Sequence, residues 1–239
     1  MKDQAFATEA DLCVAFISRI TQDRTWTAYA ETAGWDILLV AGDGTQIGVQ
    51  AKLRFNLKVL VQSLPDGWEA VQEEGPDFRS ILIPSADATA VSICEALGLG
   101  VFDWNRYGGF RPEIDLRFLR AWHYWNPGRR HPLPAFVPDV AAGASSPVQL
   151  TRWKIAALRI VARLELRGYI TRSDFRGIGI DIRTWIGPRG WLRAQVGDAP
   201  GRFVAADLPP FSAQHPVVYP QVLEEERSRL AAAGGRKAA

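Results

Sequence analysis

The sequence predicts an α/β fold with a central mixed sheet flanked by helices, followed by a smaller unit of helices and a hairpin. Three observations predict it. Residues 26–53 hold three strand-like runs, and the turn signal Gly42-Asp43-Gly44 separates the second from the third. Helix-like and strand-like segments then alternate up to Trp104. After a proline- and glycine-rich stretch come three helix-like patterns and two short strand-like runs.

The first half begins with a helix, because Thr8-Glu9-Ala10-Asp11 resembles a capping box and apolar residues at helical spacing follow to about Ile20. Strands are predicted over 26–32, 35–40 and 45–53. The remaining predicted elements are a helix capped by Asn56 with Leu57, Leu60, Val61 and Leu64 on its apolar side, a strand over 79–84, a helix over 88–97 closed by Gly98, a strand over 101–104 and an aromatic-rich helix over 116–125.

Residues 126–147 contain many prolines and glycines, which predicts a linker between a first domain, 1–125, and a second, 148–223. The predicted elements of the second domain are a helix over 150–167, a short helix opened by Thr171-Arg172-Ser173-Asp174, a third helix over 182–186, and strands over 191–196 and 202–206. Three helices followed by a hairpin is the order of a winged helix-turn-helix. Residues 224–239 are charged and then rich in alanine and glycine, which predicts a flexible tail.

The net charge of +2 conceals an asymmetry between the two halves. Residues 1–125 contain 11 lysines and arginines against 17 acidic residues, whereas residues 152–202 contain 11 basic residues against four acidic ones. The second half is therefore expected to meet an anionic partner. No apolar run approaches membrane-spanning length, the first residues lack the apolar region of a signal peptide, and Cys13 and Cys94 form no metal or disulfide pattern. These features predict a cytoplasmic protein with no membrane partner.

Five polar residues lie on or beside the first helix and the three strands. Gln50 and Lys52 are two apart on a predicted strand, so they share a face, and the hairpin brings Asp36 near them. A divalent cation that activates water beside a phosphodiester needs hard oxygen ligands. Asp36 can supply a carboxylate, Gln50 a side-chain carbonyl, and Glu9 or Glu31 a second carboxylate; Lys52 can orient water or neutralise charge on the phosphate. The alternative for Glu9 is a first-turn acid favoured by the helix dipole.

The runs GWDILLV and VQAKL resemble the signature of the PD-(D/E)xK nucleases in its glutamine variant, QxK, which is typical of Mrr-like restriction endonucleases. The resemblance covers roughly residues 5–104, including the order helix, three strands, helix, strand of a restriction-endonuclease-like core. It implies Mg²⁺ or Mn²⁺ as cofactor. It also implies that Asp36 binds the metal, that Gln50 takes the (D/E) position, that Lys52 is the lysine of the motif, and that Glu9 matches an acid often found on the first helix.

The arginines of the second half fall into two groups. Arg159, Arg163 and Arg167 are four residues apart, which predicts a solvated stripe on a helix. The other group lies in or beside the predicted second and third helices and the wing. In a helix-turn-helix the third helix enters the major groove and its neighbours contact phosphate, so this group is predicted to bind DNA. Its members are Arg172, Arg176, Arg183, Arg189 and Arg193.

Together these features predict a metal-dependent DNA endonuclease that a basic winged-helix domain targets to DNA. One alternative is a catalytically inactive DNA-binding or adaptor protein on a nuclease-like scaffold, because Gln50 is neutral. Another is a winged helix that docks a protein partner. Restriction-modification, DNA repair, transposition and a phage-encoded role are all open. Cutting both strands with one site per chain would suggest a homodimer.

Overall fold

The computed structural model describes residues 6–22, 24–65, 74–105, 109–112, 116–139, 150–187, 190–196 and 200–235. The chain divides into two units, Met1–Ser146 and Pro147–Ala239. Among the residues described, no helix is long and apolar enough to cross a bilayer. The elements of the first unit are α1 (Glu9–Ile20), β1 (Trp26–Thr32), β2 (Trp35–Ala41), β3 (Gln46–Ala51), α2 (Leu57–Ser63), β4 (Phe78–Ile83), α3 (Ala88–Ala96), β5 (Gly100–Asn105), β6 (Gly109–Arg111) and a 3₁₀ helix (Leu116–Ala121).

The predicted mixed sheet is confirmed, and it has six strands in the order β1-β2-β3-β4-β5-β6. The first three strands are antiparallel, β3, β4 and β5 are parallel, and β6 is antiparallel to β5. Strand β6 was not predicted. Helix α1 packs Leu12, Cys13 and Phe16 into the core on one face of the sheet, while α2 and α3 cover Ile81 and Ile83 on the other.

Helix α1 begins where the capping box predicts. The Thr8 hydroxyl accepts a hydrogen bond from the Asp11 backbone at 3.1 Å, and the Asp11 carboxylate accepts one from the Thr8 backbone at 3.0 Å. These two bonds satisfy N–H groups that have no partner within the helix. The cap therefore fixes the first turn, which carries Glu9.

The apolar side predicted for α2 is partly confirmed, because Leu60 and Leu64 pack against the core and the other two residues do not. Val59, Leu60 and Ser63 are buried, whereas Leu57 and Val61 are 79% and 69% exposed. Val59 and Leu60 pack with Ile81 of the sheet, and Arg79 of β4 donates to the Ser63 carbonyl at 3.1 Å. The buried side therefore combines apolar packing with one polar contact at the C-terminal end of α2.

The glycine at position 48 allows a tryptophan to lie flat on β3. A Cβ atom at Gly48 would approach the indole ring of Trp35 to between 2.3 and 2.6 Å. Trp35 itself is only 6% exposed and packs with Leu38 and Val40. The residue that precedes Asp36 is thus fixed by packing across the sheet.

Replacing Gly48 by alanine is expected to destabilise the first unit by about 1–3 kcal/mol, because the added methyl group forces the packed indole aside. Urea unfolding measures the loss. Gly42→Ala is the matched control, since its Cβ would meet nothing within 4 Å. Equal midpoints for the two variants would contradict the packing assigned to Trp35.

Part of the stretch predicted as a linker packs against the first unit. We call residues 125–136 the strap. The backbone N–H of His131 donates to Gln46 at 3.0 Å, and the Gln46 amide donates back to the His131 carbonyl at 2.9 Å. Arg130 pairs with Asp77, 1% exposed, at 2.7 Å. Prolines and glycines exclude regular structure here but not specific contacts. Residues 140–147 of the predicted linker lie outside the described part of the chain.

The aromatic-rich segment after β6 is helical over a shorter range than predicted. Its 3₁₀ helix ends at Ala121, and the residues that follow are not helical. Trp122 lies over Gly100, where a Cβ atom would come within 2.3 Å of the ring. Packing of this indole on β5 therefore replaces the last turn of the predicted helix.

The second unit consists of a long helix, a small sheet and two C-terminal helices. Its sheet is antiparallel in the order β7-β9-β8. Thr151 caps the long helix, and Gly168 ends it with φ of 75°. The elements are α4 (Arg152–Arg167), β7 (Ile170–Thr171), 3₁₀ turns Arg172–Phe175 and Ile182–Thr184, β8 (Leu192–Ala194), β9 (Arg202–Ala205), α5 (Phe211–Gln214) and α6 (Val218–Gly235).

The second and third helices predicted for a winged helix-turn-helix are single 3₁₀ turns. The third spans only Ile182–Thr184, capped by the Asp181 carboxylate, which accepts from the Arg183 backbone at 2.9 Å. Gly179, with φ of 80°, precedes this turn and Gly187 follows it, so few residues are left for helix.

The predicted flexible tail is helical as far as Gly235, and the last four residues lie outside the described part of the chain. Helix α6 buries Val218, Val222 and Glu226. The arginine stripe on α4 is likewise not solvated, because acidic residues of α6 and of the first 3₁₀ turn neutralise it. The pairs are Arg159 with Glu225 at 3.4 Å, Arg163 with Glu226 at 2.8 Å and Arg167 with Asp174 at 2.6 Å.

Candidate functional site

Asp36 lies at the start of β2, directly after the tight turn that joins β1 to β2. Gly34 forms this turn with φ of 83°, and Trp35 pairs with Thr32 across it. The Asp36 carboxylate accepts a hydrogen bond from the backbone N–H of Ala51 at 2.7 Å. Because Ala51 stands between Gln50 and Lys52, this bond holds Asp36 close to the two residues that are predicted to share its site.

The Gln50 side chain is buried at 4% exposure and has a fixed orientation. Its amide nitrogen donates to the Gly34 carbonyl at 2.7 Å. A glutamine amide carries two donors on nitrogen and an acceptor on oxygen. The bond to Gly34 therefore engages the nitrogen, and the side-chain oxygen is the atom of Gln50 that could ligate a metal.

Lys52 connects β3 to α1 through an ion pair. Its Nζ lies 2.7 Å from Oε2 of Glu9, and the side chains are 17% and 42% exposed, respectively. Glu9 also stands in the first turn of α1, so the structure is compatible with both interpretations of this acid. The ion pair shows that Glu9 reaches the strand that carries Gln50 and Lys52.

The charged residues predicted for the site lie around a buried thiol, that of Cys13. Burial, together with the carboxylates of Asp36, Glu31 and Glu9, raises the pKa of Cys13 to about 12, and the charge of Lys52 opposes this shift. These residues, which lie on α1, β1, β2 and the end of β3, are thus brought to one end of the sheet. Glu31 stands there with φ of 49°, in the left-handed region.

Burial raises the pKa of Asp36 above its usual range, opposed by the hydrogen bond from Ala51 and by the charge of Lys52. A carboxylate that is costly to ionise in this position is one that a bound cation would stabilise. This is the feature that fits a metal. Within the described residues, however, no group of three or more histidine, cysteine, aspartate or glutamate side chains is placed to hold one. The oxygen ligands at hand are those of Asp36 and Gln50, with Glu9 bound to Lys52.

The five arginines predicted to bind DNA are not equivalent in the structure. Arg183 is paired with Asp181, with Nη2 2.7 Å from Oδ2, although its side chain is 84% exposed. Arg172, Arg176 and Arg193 are exposed, and no ion pair joins them to an acidic residue of the described chain. Arg189 lies outside the described residues.

Sequence spacing did not associate Tyr169 with Arg202, although the guanidinium carbon of Arg202 stands 3.9 Å from the centre of the Tyr169 ring. The two residues come together because β7 pairs with β9, with Thr171 opposite Arg202. Assigning that strand pairing is the step that could have found them.

No protein-family model, curated protein or solved structure matches this chain. The resemblance to the PD-(D/E)xK nucleases therefore stays a prediction, and the site is defined by its own geometry: the bond from Ala51 to Asp36, the bond from Gln50 to Gly34 and the ion pair of Lys52 with Glu9.

Proposed function

We propose that this chain is a metal-dependent DNA endonuclease, a phosphodiester hydrolase whose site lies where β2 meets the end of β3. The observation that carries the proposal is the 2.7 Å bond from Ala51 to Asp36. It joins a half-buried carboxylate to Ala51, which is flanked along the chain by the amide of Gln50 and the ammonium group of Lys52.

Asp36 and Gln50 would hold Mg²⁺ or Mn²⁺, with Glu9 as a further acid beside them. Mg²⁺ is commonly bound through one or two carboxylates and keeps several waters, which suits so small a set of ligands. The ion, when bound, supplies a water of lowered pKa and polarises the phosphate. Lys52 neutralises negative charge on the phosphate, and Glu9 holds its Nζ in place at 2.7 Å.

The second unit supplies affinity for DNA in this proposal. Residues 1–125 carry an excess of acidic residues, so they attract a polyanion poorly, whereas residues 152–202 carry 11 basic residues against four acidic ones. The exposed arginines Arg172, Arg176 and Arg193 support this division.

The test is cleavage of supercoiled plasmid. We expect nicking that requires Mg²⁺ or Mn²⁺, that EDTA abolishes, and that Asp36→Asn loses. Asparagine preserves an oxygen that can accept from Ala51, so the local structure is kept. No metal-dependent nicking by the wild type would contradict the proposal.

Stability separates a functional Asp36 from a structural one. Folding raises the pKa of Asp36, so the folded state holds this proton more tightly than the unfolded chain does. The contribution of Asp36 to stability therefore falls as the pH rises through its unfolded pKa, and it stays unfavourable above the folded pKa. At neutral pH, Asp36→Asn is expected to be at least as stable as the wild type in urea while it loses cleavage.

A second candidate is a DNA-binding or adaptor protein without catalysis. It is favoured by the bonded, buried amide of Gln50 and by the ion pair that engages the Glu9 carboxylate with Lys52. It predicts no saturable Mg²⁺ or Mn²⁺ binding that depends on Asp36. Calorimetry with the wild type and Asp36→Asn distinguishes the two candidates.

A further inference from the structure

The small sheet of the second unit has one buried face and one partly exposed face. Ile170, Leu192 and Phe203 are buried, at 0%, 3% and 8% exposure. Side chains alternate along a strand, and residues paired in register share a face. Thr171 pairs with Arg202 and Arg193 with Val204, so these four residues lie on the opposite face. We call these four residues and the adjoining Tyr169 the sheet face.

An aromatic ring orders one arginine of the sheet face. The guanidinium of Arg202 lies over Tyr169, with Cζ 3.9 Å from the ring centre. Stacking of this kind limits the conformations of the guanidinium while its N–H groups at the edge stay able to donate. A bidentate donor that is already ordered suits a phosphate group, because less entropy is lost on binding.

Ion pairs neutralise many arginines of the second unit but not those of the sheet face. Acidic residues pair with three arginines of α4, with both arginines of α6 and with Arg183, whereas no described acidic residue pairs with Arg193 or Arg202. The neutralised pairs are Arg159–Glu225, Arg163–Glu226, Arg167–Asp174, Arg183–Asp181, Arg227–Glu224 and Arg229–Glu226.

The segment expected to read bases is poorly suited to do so. The third helix of the predicted helix-turn-helix is the turn Ile182–Thr184, shorter than one turn of α-helix. Its arginine, Arg183, is bound to Asp181 through the side chain and through the backbone N–H. A direct major-groove reading by this turn would have to break that pairing.

We propose that the sheet face binds the phosphate backbone of duplex DNA, with Arg193 and the Tyr169-ordered Arg202 as its phosphate contacts. The proposal rests on the proposed function only in taking DNA as the partner. Backbone contacts carry no sequence information, so the second unit binds duplexes of different sequence with similar affinity. Its binding also weakens as salt rises, because each contact releases counterions.

The experiment is fluorescence anisotropy of the full chain with a short duplex in EDTA, over a series of salt concentrations. We expect Arg193→Ala and Arg202→Ala each to weaken binding about tenfold. Combining them should reduce the slope of log K against log salt by about 2. Tyr169→Phe keeps the ring and should bind like the wild type, whereas Tyr169→Ala should resemble Arg202→Ala. A second duplex of unrelated sequence should give the same affinities.

Arg227→Ala is the matched control, because it removes an exposed arginine of the same unit that is paired with Glu224. Unchanged affinity in the Arg193/Arg202 double variant would overturn the proposal, and so would a larger loss with Arg183→Ala. If neither the wild type nor any variant binds the duplex, the proposal is also overturned, in favour of a protein partner. Because EDTA prevents metal-dependent cleavage, failure here is distinct from failure of the nuclease, which Asp36→Asn tests.

Discussion

Replacing Lys52 by alanine is expected to lower metal-dependent cleavage by about 100- to 1000-fold, the usual effect of removing one group that stabilises transition-state charge. Affinity for DNA in EDTA should not change, because the lysine lies in the acidic first unit. The unfolding midpoint should change little: Glu9 is 42% exposed, and an ion pair with so exposed a partner is worth about 0–1 kcal/mol. Plasmid nicking rates beside urea unfolding measure the two effects.

Two variants sharpen this result. Lys58→Ala removes an exposed lysine from α2 and should leave cleavage at the wild-type rate. Glu9→Gln keeps the size of the side chain but removes the charge that holds Nζ. If Glu9 acts by positioning Lys52, its effect on cleavage vanishes once Lys52 is alanine; additive losses would show that Glu9 has a separate role, such as binding the metal.

Glu226→Ala should destabilise the second unit by about 3–5 kcal/mol, because it removes the nearer counter-charge of a nearly buried arginine and leaves only Asp174 at 4.0 Å. Glu226 is 0% exposed and accepts from Arg163 at 2.8 Å and from Arg229 at 2.7 Å, while the Arg163 side chain is only 13% exposed. Hydrogen exchange at the amides of α4 in the full chain reports this loss separately from the first unit.

The control is Glu224→Ala, two residues earlier on α6. Its partner Arg227 and Glu224 itself are 57% and 63% exposed, so the expected loss is about 0–1 kcal/mol. Equal protection of the α4 amides in both variants would mean that α6 does not depend on the buried pair. That result would support the prediction from the sequence that residues 224–239 are flexible.

Local signals in the sequence predicted most of the first unit. The Thr8 capping box places the start of α1, and the Gly42-Asp43-Gly44 turn together with the strand-like runs gives β2 and β3 in antiparallel register. From these elements alone Asp36, Gln50 and Lys52 fall close together. Such features were accessible because they depend on residues only a few positions apart.

The predictions that failed depend on distant partners. Apolar spacing placed Leu57 and Val61 on the buried side of α2, whereas Val59 and Ser63 are buried there, next to β4. The α4 stripe was expected in solvent, since nothing near it in sequence shows that α6 carries Glu226 against Arg163. The bond between Gln50 and Gly34 is equally invisible in the pattern, although it determines which end of the amide faces the site.

The strap bears on how modular this chain is. Composition changes at Asn126, which is where one would divide it into two fragments. A fragment ending there would lose the backbone partner of Gln46 and the counter-charge of the buried Asp77. It would also remove His131, to which the indole N–H of Trp35 donates at 3.3 Å. Trp35 is the residue directly before Asp36. The compact first unit thus includes the strap, and the residue that precedes Asp36 contacts a segment whose composition predicts a spacer.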